Sequence, residues 1–185
     1  MQFRAELAAV APADRDAWLD ARLGLGDLPD DGADLPRDCV PYLPCSVDRL
    51  LRVIERAAVG PSDVFVDVGS GVGRAAAFVH LATGARAIGI EIQPALVAAS
   101  RGLRDAMSTI EADASRAGTE LPLGTVYFLY CPFSGARLSR FLDNLEPIAR
   151  AQPLRICCLD MSLPERPWLE PVPQVDADLT IYRTL

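Results

Sequence analysis

The sequence predicts an α/β chain built around a doubly wound, mostly parallel sheet with helices on both faces, and three observations carry that expectation. Short apolar runs of strand length alternate with helical stretches, the order that yields parallel strands joined by crossover helices. Three glycines, Gly69, Gly71 and Gly73, follow the first such run directly and open a helical stretch. Half of the 185 residues are hydrophobic, enough for one core of ordinary size and no second.

The elements follow in order. Residues 13–23 read as a short helix with Trp18, Leu19 and Leu23 on related faces. The stretch "DLPDDGADLPRDCVPYLP" is irregular by its prolines, glycine and acids, and reads either as a surface linker or as a lid over a site. "SVDRLLRVIERAAV" sets Val47, Leu50, Leu51 and Ile54 at helical spacing behind a capping serine. "VFVDV" is a fully buried strand, "VGRAAAFVHLATG" a helix, "RAIGIEI" a strand and "QPALVAASRGLRDAM" a helix. "STIEADA" reads as a third strand, "TVYFLYCPF" a fourth, "GARLSRFLDNLEPIARA" a helix and "LRICCLD" a fifth strand. The alternation around Asp176-Ala177-Asp178 suggests a closing pair of strands joined by a tight turn. The sum is a Rossmann-like sheet of seven strands with an antiparallel C-terminal hairpin strand. Residues 1–45 form an N-terminal helix and linker or lid, and 46–185 the domain proper.

Composition removes whole classes of chemistry. The 18 basic residues are all arginine, and His80 is the single histidine. Schiff-base catalysis and a lysine-bearing phosphate loop are excluded, and no histidine-rich metal site can form. His80 lies among apolar residues and reads as structural. A net charge of -7 works against binding to phosphate backbones. The five cysteines form no CxxC pair, which points to reduced thiols and a cytoplasmic setting, with Cys157 and Cys158 as buried, inert groups. "MQFRAELAAVAPA" carries a glutamate in its apolar stretch and does not read as a secretory leader, and no run has the length of a membrane span.

The glycine turn suits an anionic ligand, since a helix N-terminus offers N–H groups and partial positive charge. A dinucleotide fingerprint would need glycine where Arg74 stands. The spacing present is Asp67-x-Gly69-x-Gly71-x-Gly73, with Glu91 closing the next strand. Asp67, Glu91 and Asp113 all fall at carboxyl ends of strands, the edge where such sheets bind ligands. Each also has a plain structural reading, Asp113 as a helix cap above all. Arg74 is suited to pair with an acid near the turn.

"VFVDVGSGVGRAAAFVHLATGARAIGIEIQPALVAASR" resembles the cofactor motifs of class I S-adenosylmethionine-dependent methyltransferases. "DVGSGVG" and the upstream "PYLPCSVDRLL" are similar to the non-SET lysine methyltransferases of the telomeric-silencing-disruptor type and their prokaryotic relatives. The resemblance implies S-adenosylmethionine as cofactor. Glu91, with Ile92 beside it, would take the ribose hydroxyls, Asp67 the ammonium, and the turn Gly69-Ser70-Gly71 with Gly73 the carboxylate. Asp113 and Ala114 would lie beside the adenine, and Tyr42, Pro44, Ser46 and Tyr130 would pack on or bond the cofactor. It also implies an acceptor site after the fourth strand, where related amine methyltransferases carry an Asn or Asp before proline and this chain has Cys131. The catalytic candidates are Tyr130, Cys131, Phe133 and Asp160. A protein lysine or a small-molecule nucleophile is the expected acceptor. A non-catalytic cofactor-binding module and an NAD-dependent oxidoreductase are the alternatives.

Overall fold

A computed structural model describes residues 2–32, 35–173 and 176–185. Strand β1, Val64–Val68, is apolar at every position but Asp67. It runs parallel between β2, Arg86–Glu91, and β4, Val126–Tyr130, with Asp67 beside Gly89 and Phe128. Parallel pairing continues outward to β3, Ser108–Glu111, on one side and β5, Arg155–Leu159, on the other. The antiparallel strands β7, Leu179–Thr184, and β6, Leu169–Pro171, complete a seven-stranded sheet of order β3-β2-β1-β4-β5-β7-β6.

Strand side chains alternate between two buried faces, which is why the central strands read as unbroken apolar runs. Phe65, Phe128, Cys157 and Leu159 face one cluster. Val66, Tyr127, Leu129 and Cys158 face the other, under α6, Gly135–Ala151. The first face is covered by α3, Val47–Arg56, and α4, Arg74–Thr83, and also by α1, Gln2–Ala8, and α2, Arg15–Leu23. Phe3 stacks edge-on against Phe78, with ring centroids 5.8 Å apart, so α1 belongs to the core.

The structure departs from the sequence expectations at four places, each for a local reason. Residues 2–8 form a helix because Phe3 and Leu7 gain burial that a short isolated helix lacks in water. Helix α5, Pro94–Ser100, ends early: a single 3-10 turn at Arg101–Leu103 holds Gly102, and Ala106 and Met107 both donate to the Leu103 carbonyl. Strand β3 stops at Glu111 because Asp113 folds back on its own turn, accepting from the Ser115 amide at 2.9 Å. Strands β6 and β7 are not joined by a tight turn. Their connection reaches across to α3, where Asp176 and Asp178 meet Arg56 at 3.0 Å and Arg52 at 2.7 Å. Ser46 precedes α3 without a side-chain capping bond, and its carbonyl takes the Leu50 amide instead. His80 bonds the Ala85 carbonyl through Nδ1 at 2.8 Å, closing the end of α4. No helix among the described residues is long and apolar enough to cross a membrane.

Candidate functional site

A cleft opens at the carboxyl ends of β1, β2 and β4, where the strand order turns back on itself and α/β sheets bind ligands. Its floor includes Asp67, Gly69, Ser70 and Glu91, its far wall Tyr130 and Asp160.

The glycine turn is held from several sides. The Gly69 and Ser70 amides both donate to the Ile90 carbonyl, at 2.8 and 3.0 Å, which ties the turn to β2. The Gly71 amide donates to Glu91 Oε2 at 2.8 Å and the Gly73 amide to the Ser70 carbonyl at 2.8 Å. These four N–H groups are therefore spent within the chain, and the turn is a close-approach surface more than an open anion cradle. Closeness explains Gly71: its φ is +55°, and a Cβ there would stand 2.0 Å from the Tyr42 ring.

Glu91 accepts from two backbone amides, Gly71 and Gln93, both at 2.8 Å, which fixes the carboxylate at the cleft floor. Burial raises its pKa and those bonds oppose the rise. Asp67 is more deeply placed, 4% exposed, and burial first and the Glu91 charge second push its carboxyl up to about 7. Asp113 also lines the cleft, with both oxygens engaged: Oδ1 by Ser115 and Oδ2 by Arg137 at 2.9 Å. Those bonds outweigh desolvation and lower its pKa.

Leu35 and residues 39–43 of the irregular segment before α3 line the cleft. Val40 N–H donates to the Pro132 carbonyl at 3.2 Å and Ser134 N–H to the Asp38 carbonyl at 3.1 Å, around a bridge between Cys39 and Phe133. Asp31 accepts from the Tyr42 amide at 3.0 Å and from Gln93 Nε2 at 2.8 Å, and Gln93 Oε1 takes the Gly32 amide at 2.7 Å. Arg74 clips the other end: it bonds the Cys45 carbonyl and the carboxylates of Asp16 at 2.8 Å and Asp20, both on α2. The Tyr42 and Ser70 hydroxyls are buried here without a partner among the described residues.

At the far end, Arg49 of α3 lies over the Tyr130 ring at 4.9 Å, donates to its hydroxyl at 3.0 Å and pairs with Asp160 at 2.7 Å. Cys131 turns its thiol to the Leu159 and Asp160 carbonyls, at 3.3 and 3.4 Å. Cys131 and Asp160, at the ends of β4 and β5, both hold positive φ, +48° and +55°.

The cleft brings together Tyr42, Asp67, Gly69, Ser70, Glu91, Ile92, Asp113, Ala114, Tyr130, Cys131, Phe133 and Asp160. Gly71, Gly73 and Ser46 do not line the cleft; Gly71 stands against the Tyr42 ring and Gly73 against the Met107 sulfur. Sequence reasoning missed Asp31, Gln93 and the α2 carboxylates. For Asp31 the one signal was an acid-rich irregular segment, which by itself names no partner, and Gln93 and the α2 acids carried none.

The family described as "Histone methylation protein DOT1" matches residues 42–110. An RNA methyltransferase from Salinibacter ruber, solved with S-adenosyl-L-homocysteine, is 29% identical, with 77% of this chain and 92% of that one covered and a TM-score of 0.55. The putative methyltransferase yhhF from Escherichia coli is 18% identical over 85% of this chain and 91% of that one, TM-score 0.55. An Aquifex aeolicus S-adenosylmethionine-dependent methyltransferase is 12% identical over 73% and 88%, TM-score 0.52. The last two, at such identities, speak to the fold. No curated protein sequence matches the chain. Sheet order, glycine turn, the acid closing β2 and these likenesses together give the chain the fold of the class I S-adenosylmethionine-dependent methyltransferases.

Proposed function

We propose that the chain transfers the methyl group of S-adenosylmethionine to a nucleophile presented at the lid side of the cleft, a protein lysine or a small molecule. The observation that carries this reading is one cleft holding Asp67, the glycine turn and Glu91 under Tyr42, with two buried hydroxyls, Tyr42 and Ser70, still in want of partners. The donor set fits the cofactor: Glu91 would accept from the ribose hydroxyls, and Asp67 with the Tyr42 hydroxyl would hold the amino-acid end. The bound cofactor supplies an electrophilic methyl on a sulfonium, so the protein's task is to orient the acceptor and exclude water. The lid performs the second part, being tied to Gln93 and to the β4 end at once.

The Salinibacter ruber likeness favours RNA as a second acceptor class. Against it stand the net charge of -7 and the engagement of Arg49 and Arg137 at the cleft by Asp160 and Asp113. The test is titration with S-adenosylhomocysteine and NADH, followed by transfer of labelled methyl to lysine peptides, small amines and RNA. Micromolar binding of the homocysteine and labelling of peptide or small amine are expected; stabilisation by NADH alone would refute the reading.

A further inference from the structure

We infer that Asp160, at the end of β5, and not the side chain after β4, is the group that receives and positions an acceptor amino group. This rests on the cofactor reading above. Its first support is what Cys131 does: its thiol is turned to two carbonyls of the β5 end, and a thiol is a weak partner for an amine. The position after β4 thus offers the acceptor no strong side-chain oxygen.

Asp160 lines the same cleft as Tyr130 and Cys131. Arg49 holds its Oδ1 at 2.7 Å, and Arg49 is itself fixed by the Tyr130 hydroxyl and by Asp178 at 3.2 Å. One oxygen is therefore anchored, while among the described residues no donor meets Oδ2. The side chain is 45% exposed, which leaves that oxygen open to a ligand. The backbone is over-determined as well. Asp160 N–H donates to the Asp178 carbonyl at 2.8 Å, and φ is held at +55°, an arrangement of the kind that gathers where a side chain must be aimed.

The test needs no acceptor. Sinefungin carries an amino group on carbon where S-adenosylmethionine carries its methylsulfonium, so its ammonium lies toward the acceptor side, and S-adenosylhomocysteine has nothing there. Both are titrated calorimetrically into the full chain and its variants. Asp160→Asn is suited to keep the fold, because asparagine tolerates positive φ. It should weaken sinefungin about tenfold, the scale of a partly screened charge-assisted hydrogen bond, and leave S-adenosylhomocysteine within twofold. Cys131→Ala should leave the ratio of the two affinities within twofold. A ratio unmoved by Asp160→Asn, or moved equally by Cys131→Ala, would overturn the assignment. Failure of the unaltered chain to bind S-adenosylhomocysteine would overturn the cofactor reading first, and this one with it.

Discussion

On the proposed cofactor reading, Asp67 should make cofactor binding titrate near neutral pH. Its carboxyl is buried beside Glu91, and the two effects raise its pKa from 3.8 to about 7, against a hydrogen bond from the Ala76 amide. A cationic amino group is bound by the ionised carboxylate, so the competent fraction is about one in eleven at pH 6, about half at pH 7 and about ten in eleven at pH 8. Affinity for S-adenosylhomocysteine should therefore rise roughly tenfold from pH 6 to pH 8, with about half a proton released per ligand at pH 7. Calorimetry in two buffers of different ionisation heat measures both. Asp67→Asn should bind more weakly and lose the slope. An affinity constant within twofold over that range, or the same slope in the variant, would refute the reasoning. Stability carries the opposite sign. A carboxyl whose folded pKa is raised contributes fully below the unfolded value of 3.8 and loses that contribution as pH rises through 7, a span on the order of 4 kcal/mol. Asp67→Asn should accordingly melt at or above the parent temperature at pH 8.

Two further perturbations test the lid. Gly71→Ala places a Cβ 2.0 Å from the Tyr42 ring at a φ of +55°. Strain of about 1–2 kcal/mol and expulsion of the ring should lower S-adenosylhomocysteine affinity at least about a hundredfold, read by calorimetry beside a melting curve. An alanine variant that binds normally would show that Tyr42 does not close on the turn. Arg74→Gln removes a guanidinium only 4% exposed from Asp16 and Asp20, whose side chains are 51% and 44% exposed and relax into water. A loss of about 2 kcal/mol in urea unfolding is expected, below the usual cost of breaking a fully buried pair, with faster proteolysis between residues 24 and 46. Unchanged cleavage there would dismiss the clip.

Local signals made much of this legible. The runs at 64–68, 126–130 and 155–159 announce strands buried on both faces, since each of their apolar residues has a core to enter. The glycines and the acids Asp67 and Glu91 mark the cleft because their constraints, close approach and a carboxylate at a strand end, are written within one β-α-β unit. The helix at 2–8 was not legible. Its residues are good helix formers apart from Phe3, but seven are too few to hold a helix in water, and contact of Phe3 with Phe78 and Trp18 supplies what length does not.

The sequence by itself determined the fold class, the glycine turn at the ligand-binding edge and the absence of lysine chemistry, since the alternation of strands and helices, the turn and the composition are local properties. Tertiary structure decided the rest. Asp31 meets Gln93, Arg74 meets α2, and Arg49 meets Asp160, 111 positions further along, only because the sheet carries those segments to one edge. No periodicity within a segment specifies such pairings; they depend on which surfaces the completed core leaves facing each other.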